Sequence, residues 1–287
     1  MNNILEVNNL GKIYNEFQLK DINFSLPYGF IMGLIGENGA GKTTTIKAIL
    51  NMISKDSGDI AIFGKNNIKD EIEIKKNIGA VFDSNYFVDS WKIKDVEKSM
   101  RLFYDNWDNI KFKSLISKFN ISTNKKISQL SKGMQMKLML ACALSYDAKL
   151  LILDEPTSGL DPVSRDELLD ILKEYIEDEK RSVLFSTHIT TDLEKIADYI
   201  TYLHKGRLIY SGGKEEFIDA FRIAKGGRDE LVSDLENKLI STRVYSSGFE
   251  GLIKTEFVKE YPNLLFEPAS IDDIIVYSNK GDILRNE

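Results

Sequence analysis

The chain has 287 residues, a formal net charge of −6 and 29% charged residues, which allows one large domain and a small second one. The acidic balance argues against bulk binding of nucleic acid, and the single cysteine, Cys142, excludes a disulfide framework or a cysteine metal site. No apolar stretch approaches the roughly 18 residues that a membrane-spanning helix needs, so we expect any membrane role to depend on a partner.

The first predicted elements are short strands. Residues 2–27 alternate between apolar and polar side chains, and Pro27-Tyr28-Gly29 predicts a turn. Tyr14 lies just ahead of this sheet. An aromatic face is sufficient to stack on an adenine, but exposed tyrosines are also common in strands, so the residues alone leave both interpretations open.

An apolar strand over residues 30–35 leads into Gly36-Glu37-Asn38-Gly39-Ala40-Gly41-Lys42-Thr43-Thr44, and apolar residues at helical spacing follow. This Gly-x-x-x-x-Gly-Lys-Thr pattern between a strand and a helix predicts a phosphate-binding loop. The glycines let N–H groups converge on an anion at the positive end of the helix. Lys42 can then reach the β- and γ-phosphates, and the Thr43 hydroxyl can ligate Mg²⁺.

The next predicted strand, residues 77–82, ends at Asp83. Ligands gather at the carboxyl ends of parallel strands, so Asp83 is a candidate Mg²⁺ or water contact, or else an ordinary turn residue. Residues 84–147 then read as helical and aromatic. Seven lysines and no acid lie between Lys111 and Lys137; this face is either solvated or attracts anions. Ser131 is a predicted helix N-cap and a possible second anion site.

Two adjacent carboxylates end the apolar strand at residues 150–153. Successive strand residues point to opposite sides, so we predict different tasks, Asp154 on Mg²⁺ and Glu155 on the attacking water. Two acids at the tip of a central strand are costly unless they are paired or bind a metal. Both therefore point to a nucleotide site.

The remaining candidates follow in order. Asp161 before Pro162 predicts an N-cap, and a strand over residues 182–187 ends at His188, where a ligand-binding role is favoured. His204 is interpreted as structural. Residues 215–287 read as a small α/β appendage without recognisable chemistry.

Over about 210 residues from the N-terminus, the chain resembles an ATP-binding cassette (ABC) ATPase, the nucleotide-binding subunit of a membrane transporter. Residues 36–43 resemble Walker A, residues 150–155 Walker B, residues 130–134 the signature loop and residues 158–161 the D-loop. His188 resembles the switch histidine, and Tyr14 the adenine-stacking aromatic.

The resemblance implies an α/β fold, a RecA-like P-loop NTPase core with an N-terminal antiparallel β subdomain and an inserted helical subdomain. The ATP-binding cassette would span residues 1–214, with the helical subdomain at about 84–147, and the appendage residues 215–287. It also implies catalytic roles for Glu155 and His188, and Mg²⁺ ligation by Thr43 and Asp154. The implied ATP contacts are Tyr14, Gly36, Asn38, Gly39, Gly41, Lys42, Thr43, Thr44, Ser131, Gly133 and Asp161.

Further implications concern partners. The resemblance implies a head-to-tail dimer of two such chains, or of this chain with a sister cassette, that holds each ATP between Walker A of one chain and the signature loop of the other. A separately encoded permease would dock near residues 84–110 and hold the chain at the cytoplasmic face of the membrane. No nucleic acid partner is expected.

Two departures from the family pattern matter. Asp83 stands where the family usually has a glutamine, and we predict that its carboxylate serves as a metal ligand. The signature reads Leu130-Ser131-Lys132-Gly133-Met134 instead of Leu-Ser-Gly-Gly-Gln, so the composite site is expected to close differently. These variants and the C-terminal extension most resemble the export-type subset that includes bacterial antibiotic-peptide and drug exporters.

Two alternatives remain open at this point. One is a soluble ATPase of the same superfamily that acts on DNA or ribosomes, although neither a long coiled coil nor a second cassette is present. The other is a scaffold that binds ATP and hardly hydrolyses it, against which Glu155 and His188 argue.

Overall fold

The structure is a computed structural model that describes residues 2–281; residue 1 and residues 282–287, which the predicted domain ranges include, lie outside it. The strands are β1 (Asn3–Ile13), β2 (Gln18–Pro27), β3 (Ile31–Ile35), β4 (Ser57–Ile62), β5 (Lys65–Asn66), β6 (Ile78–Val81), β7 (Leu150–Asp154), β8 (Ser182–Thr187), β9 (Tyr199–His204), β10 (Arg207–Gly213), β11 (Phe221–Gly226), β12 (Leu239–Val244), β13 (Phe249–Lys254) and β14 (Leu265–Pro268). The helices are α1 (Lys42–Ile49), α2 (Glu71–Lys75), α3 (Ile93–Phe103), α4 (Asn109–Lys118), α5 (Lys132–Leu144), α6 (Pro162–Ile176), α7 (Thr190–Ile196), α8 (Lys214–Asp219), α9 (Ser233–Lys238) and α10 (Ile271–Lys280).

The larger sheet has the strand order β5-β4-β1-β2-β10-β9-β3-β8-β7-β6. Its core is parallel, because β3 pairs in parallel with β8 and β9, and β7 with β6 and β8. Every residue of β3, β7 and β8 is buried, which explains their nearly continuous apolar sequences. The carboxyl ends of these strands carry Gly36, Asp154 and His188 to one edge of the sheet.

The other half of this sheet is antiparallel. β1 pairs with β2 and β4, and β10 joins the two halves through its antiparallel pairing with β9 and a parallel contact between Arg207 and Lys20. An antiparallel layer beside a parallel sheet that follows a glycine-rich loop confirms the predicted P-loop NTPase fold class.

Helices α3, α4 and α5 occupy most of the segment predicted to be helical. Phe112 of α4 and Met139 of α5 are buried in the same cluster as Val81 of β6. Three of the seven lysines in the predicted basic segment are paired with acids of neighbouring helices: Lys113, Lys118 and Lys137 lie 4.0, 3.5 and 2.6 Å from the carboxylates of Glu97, Glu174 and Glu167. These ion pairs account for part of the basic face, and its solvated interpretation stays a prediction.

The C-terminal elements form a second, antiparallel sheet with the order β12-β13-β11-β14. A small core packs Leu235 of α9 with Phe249 and Ile253 of β13. Ile271 and Tyr277 of α10 belong instead to the large core cluster that also contains Phe185 of β8. The appendage sheet is thus anchored to the ATPase core through α10. The predicted division after residue 214 falls at the first residue of α8.

Candidate functional site

The phosphate-binding loop lies between β3 and α1. Gly39 and Gly41 have φ angles of +84° and +108°, which L side chains rarely adopt. A Cβ atom at Gly36 would lie 2.3 Å from the backbone oxygen of Leu203 and 2.9 Å from Ala40 Cβ. The glycine spacing predicted from the sequence therefore has a steric cause at each of these positions.

Lys42 begins α1 and is 6% exposed. Its ammonium group donates to the backbone oxygens of Gly36 at 2.8 Å and Glu37 at 3.3 Å, and it lies 3.2 Å from Glu155 Oε1. These contacts hold the cation inside the curve of the loop, on the side of the strand-end carboxylates. A lysine in this place can pair with the terminal phosphates of a nucleotide.

Asp154 is the last residue of β7, and Glu155 follows it outside the strand, so strand alternation does not set the direction of Glu155. The Asp154 carboxylate is buried and accepts a hydrogen bond of 2.5 Å from the Ser186 hydroxyl. Glu155 has a φ angle of +52°, and its N–H donates to the backbone oxygen and the hydroxyl of Ser186, both at 3.1 Å. Ser186, which the sequence analysis missed, thus fixes both acids, and its only sequence signal is its place at the end of a buried strand.

The Glu155 carboxylate connects two further candidates. One oxygen faces Lys42, and the other lies 2.7 Å from His188 Nδ1. Glu155 is 16% exposed and His188 46% exposed, so the acid is recessed and the imidazole lies at the rim. The Glu155 carboxylate, which can accept a proton, therefore lies between the Lys42 ammonium group and the His188 imidazole.

A groove of about 500 Å³ lies over the loop. Asp83 and Glu155 line it together with the loop and one aromatic residue. The lining residues are Phe17, Glu37, Asn38, Gly39, Gly41, Lys42, Thr43, Thr44, Asp83 and Glu155. The structure therefore brings most of the predicted site residues of one chain into a single groove that is large enough for a nucleotide.

Tyr14 is not among the described residues that line this groove. Its ring is 45% exposed, and Lys12 Nζ lies 5.5 Å from the ring centroid. Phe17, which shares the turn between β1 and β2 and whose oxygen accepts from the Tyr14 N–H at 2.8 Å, lines the groove instead. The sequence signal for Phe17 was its position three residues after Tyr14 in the same turn.

Ser131, Gly133 and Asp161 form a second group of predicted site residues. The Ser131 hydroxyl accepts from the Met134 N–H at 3.3 Å, and the Asp161 carboxylate accepts from the N–H groups of Val163 and Ser164 at 3.1 and 3.0 Å, so both predicted N-caps are confirmed. A Cβ at Gly133 would lie 3.3 Å from Leu160 Cδ2, which places the two segments side by side. Within the described part of the chain, none of the three lines the groove over the phosphate loop.

A buried acid behind the site was not predicted. Asp192 of α7 is 1% exposed, and burial raises the pKa of its carboxyl despite the nearby Thr157 hydroxyl and Arg165 guanidinium. Thr157 lies two residues after Glu155. For Asp161, hydrogen bonds from the Ser164 backbone and side chain lower the pKa, which keeps this capping carboxylate ionised.

The donor set fits Mg²⁺ bound together with phosphate oxygens. In residues 2–281 no cluster of three or more His, Cys, Asp or Glu side chains could hold a metal ion by itself. Magnesium is usually bound by one or two carboxylates and by substrate phosphates. The groove is lined by Thr43, Asp83 and Glu155, and Asp154 ends the strand β7 beside it, so these side chains are the candidate oxygen donors.

A glycine-rich loop that opens toward strand-end carboxylates at the edge of a parallel sheet defines a P-loop nucleoside triphosphatase. Residues 19–158 match the family model described as ABC transporter. The chain is 32% identical over 212 residues to the bacitracin transport ATP-binding protein BcrA of Bacillus licheniformis. This alignment covers 73% of this chain and 69% of that protein. It therefore belongs to the ABC transporter family, as an ATP-binding subunit with ATPase activity.

Two further similarities agree with this assignment. The chain is 31% identical over 209 residues to the lantibiotic transport ATP-binding protein SrtF of Streptococcus pyogenes, covering 72% of this chain and 89% of that protein. A solved structure of an ATP-binding subunit of an ABC transporter has a TM-score of 0.68 and 27% identity, covering 74% of this chain and 91% of that one. No helix within residues 2–281 combines the length and apolarity needed to cross a bilayer.

Proposed function

We propose that this chain is the Mg²⁺-dependent ATPase motor of an exporter, and that two cassettes close head to tail around ATP. One observation carries the proposal: Ser131, Gly133 and Asp161 lie together but outside the groove formed by the phosphate loop and Glu155. A capped helix N-terminus with a glycine beside it is suited to bind an anion. A second cassette would bring this segment to the γ-phosphate of the first.

In this proposal the phosphate loop binds the substrate ATP. The N–H groups around Gly39 and Gly41 and the α1 dipole stabilise the β-phosphate, with Gly36 allowing the close approach and Asn38 and Thr44 on the groove wall. Lys42 exchanges its contact with Glu155 for the β- and γ-phosphates. Phe17, which lines the groove, covers the base or ribose, and Tyr14 of the same turn stacks on the adenine when this turn closes over the bound nucleotide.

Hydrolysis is assigned to Glu155 and His188. Glu155 accepts a proton from the attacking water while the water oxygen bonds to the γ-phosphorus and the bond to the bridging oxygen breaks, giving ADP and phosphate. His188 holds the carboxylate through Nδ1 and can contact the γ-phosphate. Lys42 offsets negative charge on the phosphates as the bridging bond lengthens.

Thr43, Asp154 and Asp83 are the residues that would hold Mg²⁺. The bound ion would neutralise charge on the β- and γ-phosphate oxygens. Ser186 keeps the Asp154 carboxylate oriented, and the Asp83 carboxylate reaches the groove from β6. Replacing Asp83 with Ala is expected to weaken the Mg²⁺ dependence of turnover; unchanged dependence and unchanged turnover would remove Asp83 from the site.

A second groove supports the proposed membrane partner. Its volume is about 410 Å³, and apolar and aromatic side chains dominate its lining, which comprises Leu50, Met52, Lys75, Ile78, Ala80, Phe82, Tyr86, Tyr104 and Tyr146. It lies between β6, which leads to Asp83, and the helical segment. A cytoplasmic helix of a separately encoded permease docked there would couple movement of these helices to the metal side of the nucleotide site.

The export direction is proposed from the relatives. The two similar proteins are named for transport of bacitracin and of a lantibiotic, so we propose a peptide antibiotic or similar amphiphile as the exported substrate. In this arrangement the chain is peripheral, at the cytoplasmic face of the membrane. It acts either as a homodimer or with a sister cassette.

The test is to isolate the tagged Glu155→Gln chain from membranes solubilised with Mg-ATP. Slow hydrolysis retains the closed complex, so a polytopic membrane protein is expected to copurify. Met52→Asp, placed in the second groove, is expected to lower that recovery, whereas Ile72→Asp, at a residue 79% exposed outside the groove, serves as the matched control. Recovery of a soluble ATP-bound dimer alone, or of ribosomes or DNA, would refute the transporter and favour a soluble ATPase.

A further inference from the structure

The last described helix, α10, contacts the phosphate loop directly. Asn279 Nδ2 donates to Glu37 Oε1 at 2.6 Å, and Asn279 Oδ1 accepts from the Tyr202 hydroxyl at 2.6 Å. A carboxylate only accepts hydrogen bonds, so the amide nitrogen must face Glu37. The orientation of the Asn279 side chain is thereby fixed by its two partners.

Both partners are tied to the nucleotide-binding machinery. Tyr202 is 1% exposed and pairs in β9 with Ile35, the last residue of β3; burial raises the pKa of its phenol, so the hydroxyl remains a donor. Glu37 follows Gly36 in the loop, and its backbone oxygen accepts from Lys42 Nζ at 3.3 Å and from the Ala40 N–H at 3.0 Å. The Asn279 contact therefore fixes the side chain of a residue whose main chain orients Lys42.

The other end of α10 contacts the helix that follows the switch histidine. The Ile271 N–H donates to Glu194 Oε1 at 3.2 Å, and Asp272 Oδ1 accepts from the Thr190 hydroxyl at 3.4 Å. Thr190 begins α7, two residues after His188. Helix α10 of the appendage thus contacts the phosphate loop at one end and the segment after His188 at the other.

We propose that Asn279 is a positioning residue through which the C-terminal appendage sets the shape of the phosphate loop for ATP. The inference rests on the proposed nucleotide site and assigns the appendage a part in it. Because the loop binds phosphate through backbone N–H groups, its affinity depends on how far it is preorganised. Asn279 contacts neither Glu155 nor His188, so it acts on ATP binding and not on the chemical step.

The test is a double-mutant cycle on the full-length chain, read by titration with a fluorescent ATP analogue and by steady-state ATPase kinetics. Asn279→Asp places a second carboxylate against Glu37. We expect about a tenfold weaker analogue affinity and a matching rise in KM, the scale of one charge-assisted hydrogen bond, with kcat within about twofold. In the Glu37→Gln background the new amide at position 37 donates to the carboxylate at position 279, so the same substitution is expected to cost less than twofold.

Controls separate this effect from general destabilisation. Asn237→Asp adds the same charge at an exposed position of α9, and it should change neither affinity nor KM. Asn279→Ala is the second variant, which removes both hydrogen bonds without adding charge; its weaker affinity should disappear in the Glu37→Ala background.

The outcomes are distinct. The role of Asn279 would be overturned if its substitution weakened ATP-analogue affinity equally with and without the Glu37 substitution, if affinity did not change, or if only kcat fell. A chain that binds the analogue but does not hydrolyse ATP would refute the proposed hydrolysis, while the binding cycle would still decide on Asn279.

Discussion

The contact between Glu155 and Lys42 makes Glu155→Gln informative beyond the loss of a base. In the structure the carboxylate faces Lys42 Nζ at 3.2 Å and His188 Nδ1 at 2.7 Å. Glutamine keeps the shape and one acceptor oxygen but cannot accept the proton of water. We therefore expect turnover and ATP affinity to change in opposite directions.

The magnitudes follow from the geometry. Losing a general base lowers kcat by roughly 10²–10⁴-fold. For binding, two unit charges at 3.2 Å attract by about 5 kcal/mol at an effective dielectric of about 20. Since the amide oxygen of glutamine still accepts from Lys42, the difference should be nearer the value of one charged hydrogen bond, about 1.5–3 kcal/mol. Lys42 no longer has to leave a carboxylate to bind phosphate, so ATP should bind roughly 10- to 100-fold more tightly.

The assay combines phosphate release with equilibrium titration of ATP at fixed Mg²⁺. Glu177→Gln, an exposed position beyond the end of α6, removes the same charge away from the groove and should change neither quantity. Turnover that survives in Glu155→Gln would refute Glu155 as the base. Weaker ATP binding would refute the conclusion that Glu155 competes with phosphate for Lys42.

Three further predictions concern the surroundings of the site. Phe185→Ala, at a fully buried position of β8, should lower the free energy of unfolding by about 3–5 kcal/mol, measured by urea denaturation. Gly36→Ala should abolish ATP binding, because its Cβ would meet the Leu203 oxygen at 2.3 Å; Gly64→Ala, with a φ angle of +74° and no atom within 4 Å, should cost about 1 kcal/mol of stability and leave binding unchanged. Asp192→Asn should stabilise the chain at pH 7, and the gain should shrink on acidification and vanish below the ordinary aspartate pKa of 3.8.

The sign of the last prediction follows from the raised pKa of Asp192. The folded chain holds this proton more tightly than the unfolded chain, so ionisation costs stability above the ordinary pKa and costs nothing when both states are protonated. A gain that stays constant from pH 7 to pH 3, in paired thermal melts, would contradict it. A loss below about 1 kcal/mol for Phe185→Ala would mean that the β8 core repacks, and ATP binding by Gly36→Ala would mean that the loop shifts to accept a methyl group.

The parts of the site that could be predicted from sequence are positions where the local structure requires an unusual residue type. Gly36, Gly39 and Gly41 are needed where a side chain would clash or where φ is positive. Asp154 and Glu155 stand out because acids rarely end a fully apolar strand without a function. The order of these segments was therefore sufficient to predict the fold class and the groove.

The missing parts are ordinary residues whose importance depends on tertiary contact. Phe17 was one aromatic near Tyr14, and nothing in the local pattern distinguished which of the two faces the loop. Asn279 lies 242 residues from Glu37, and an asparagine on a short amphipathic helix carries no signal of its own. A site that binds phosphate through its backbone can be adjusted by any side chain that reaches the loop, so control of such a site can evolve at positions that no local motif marks.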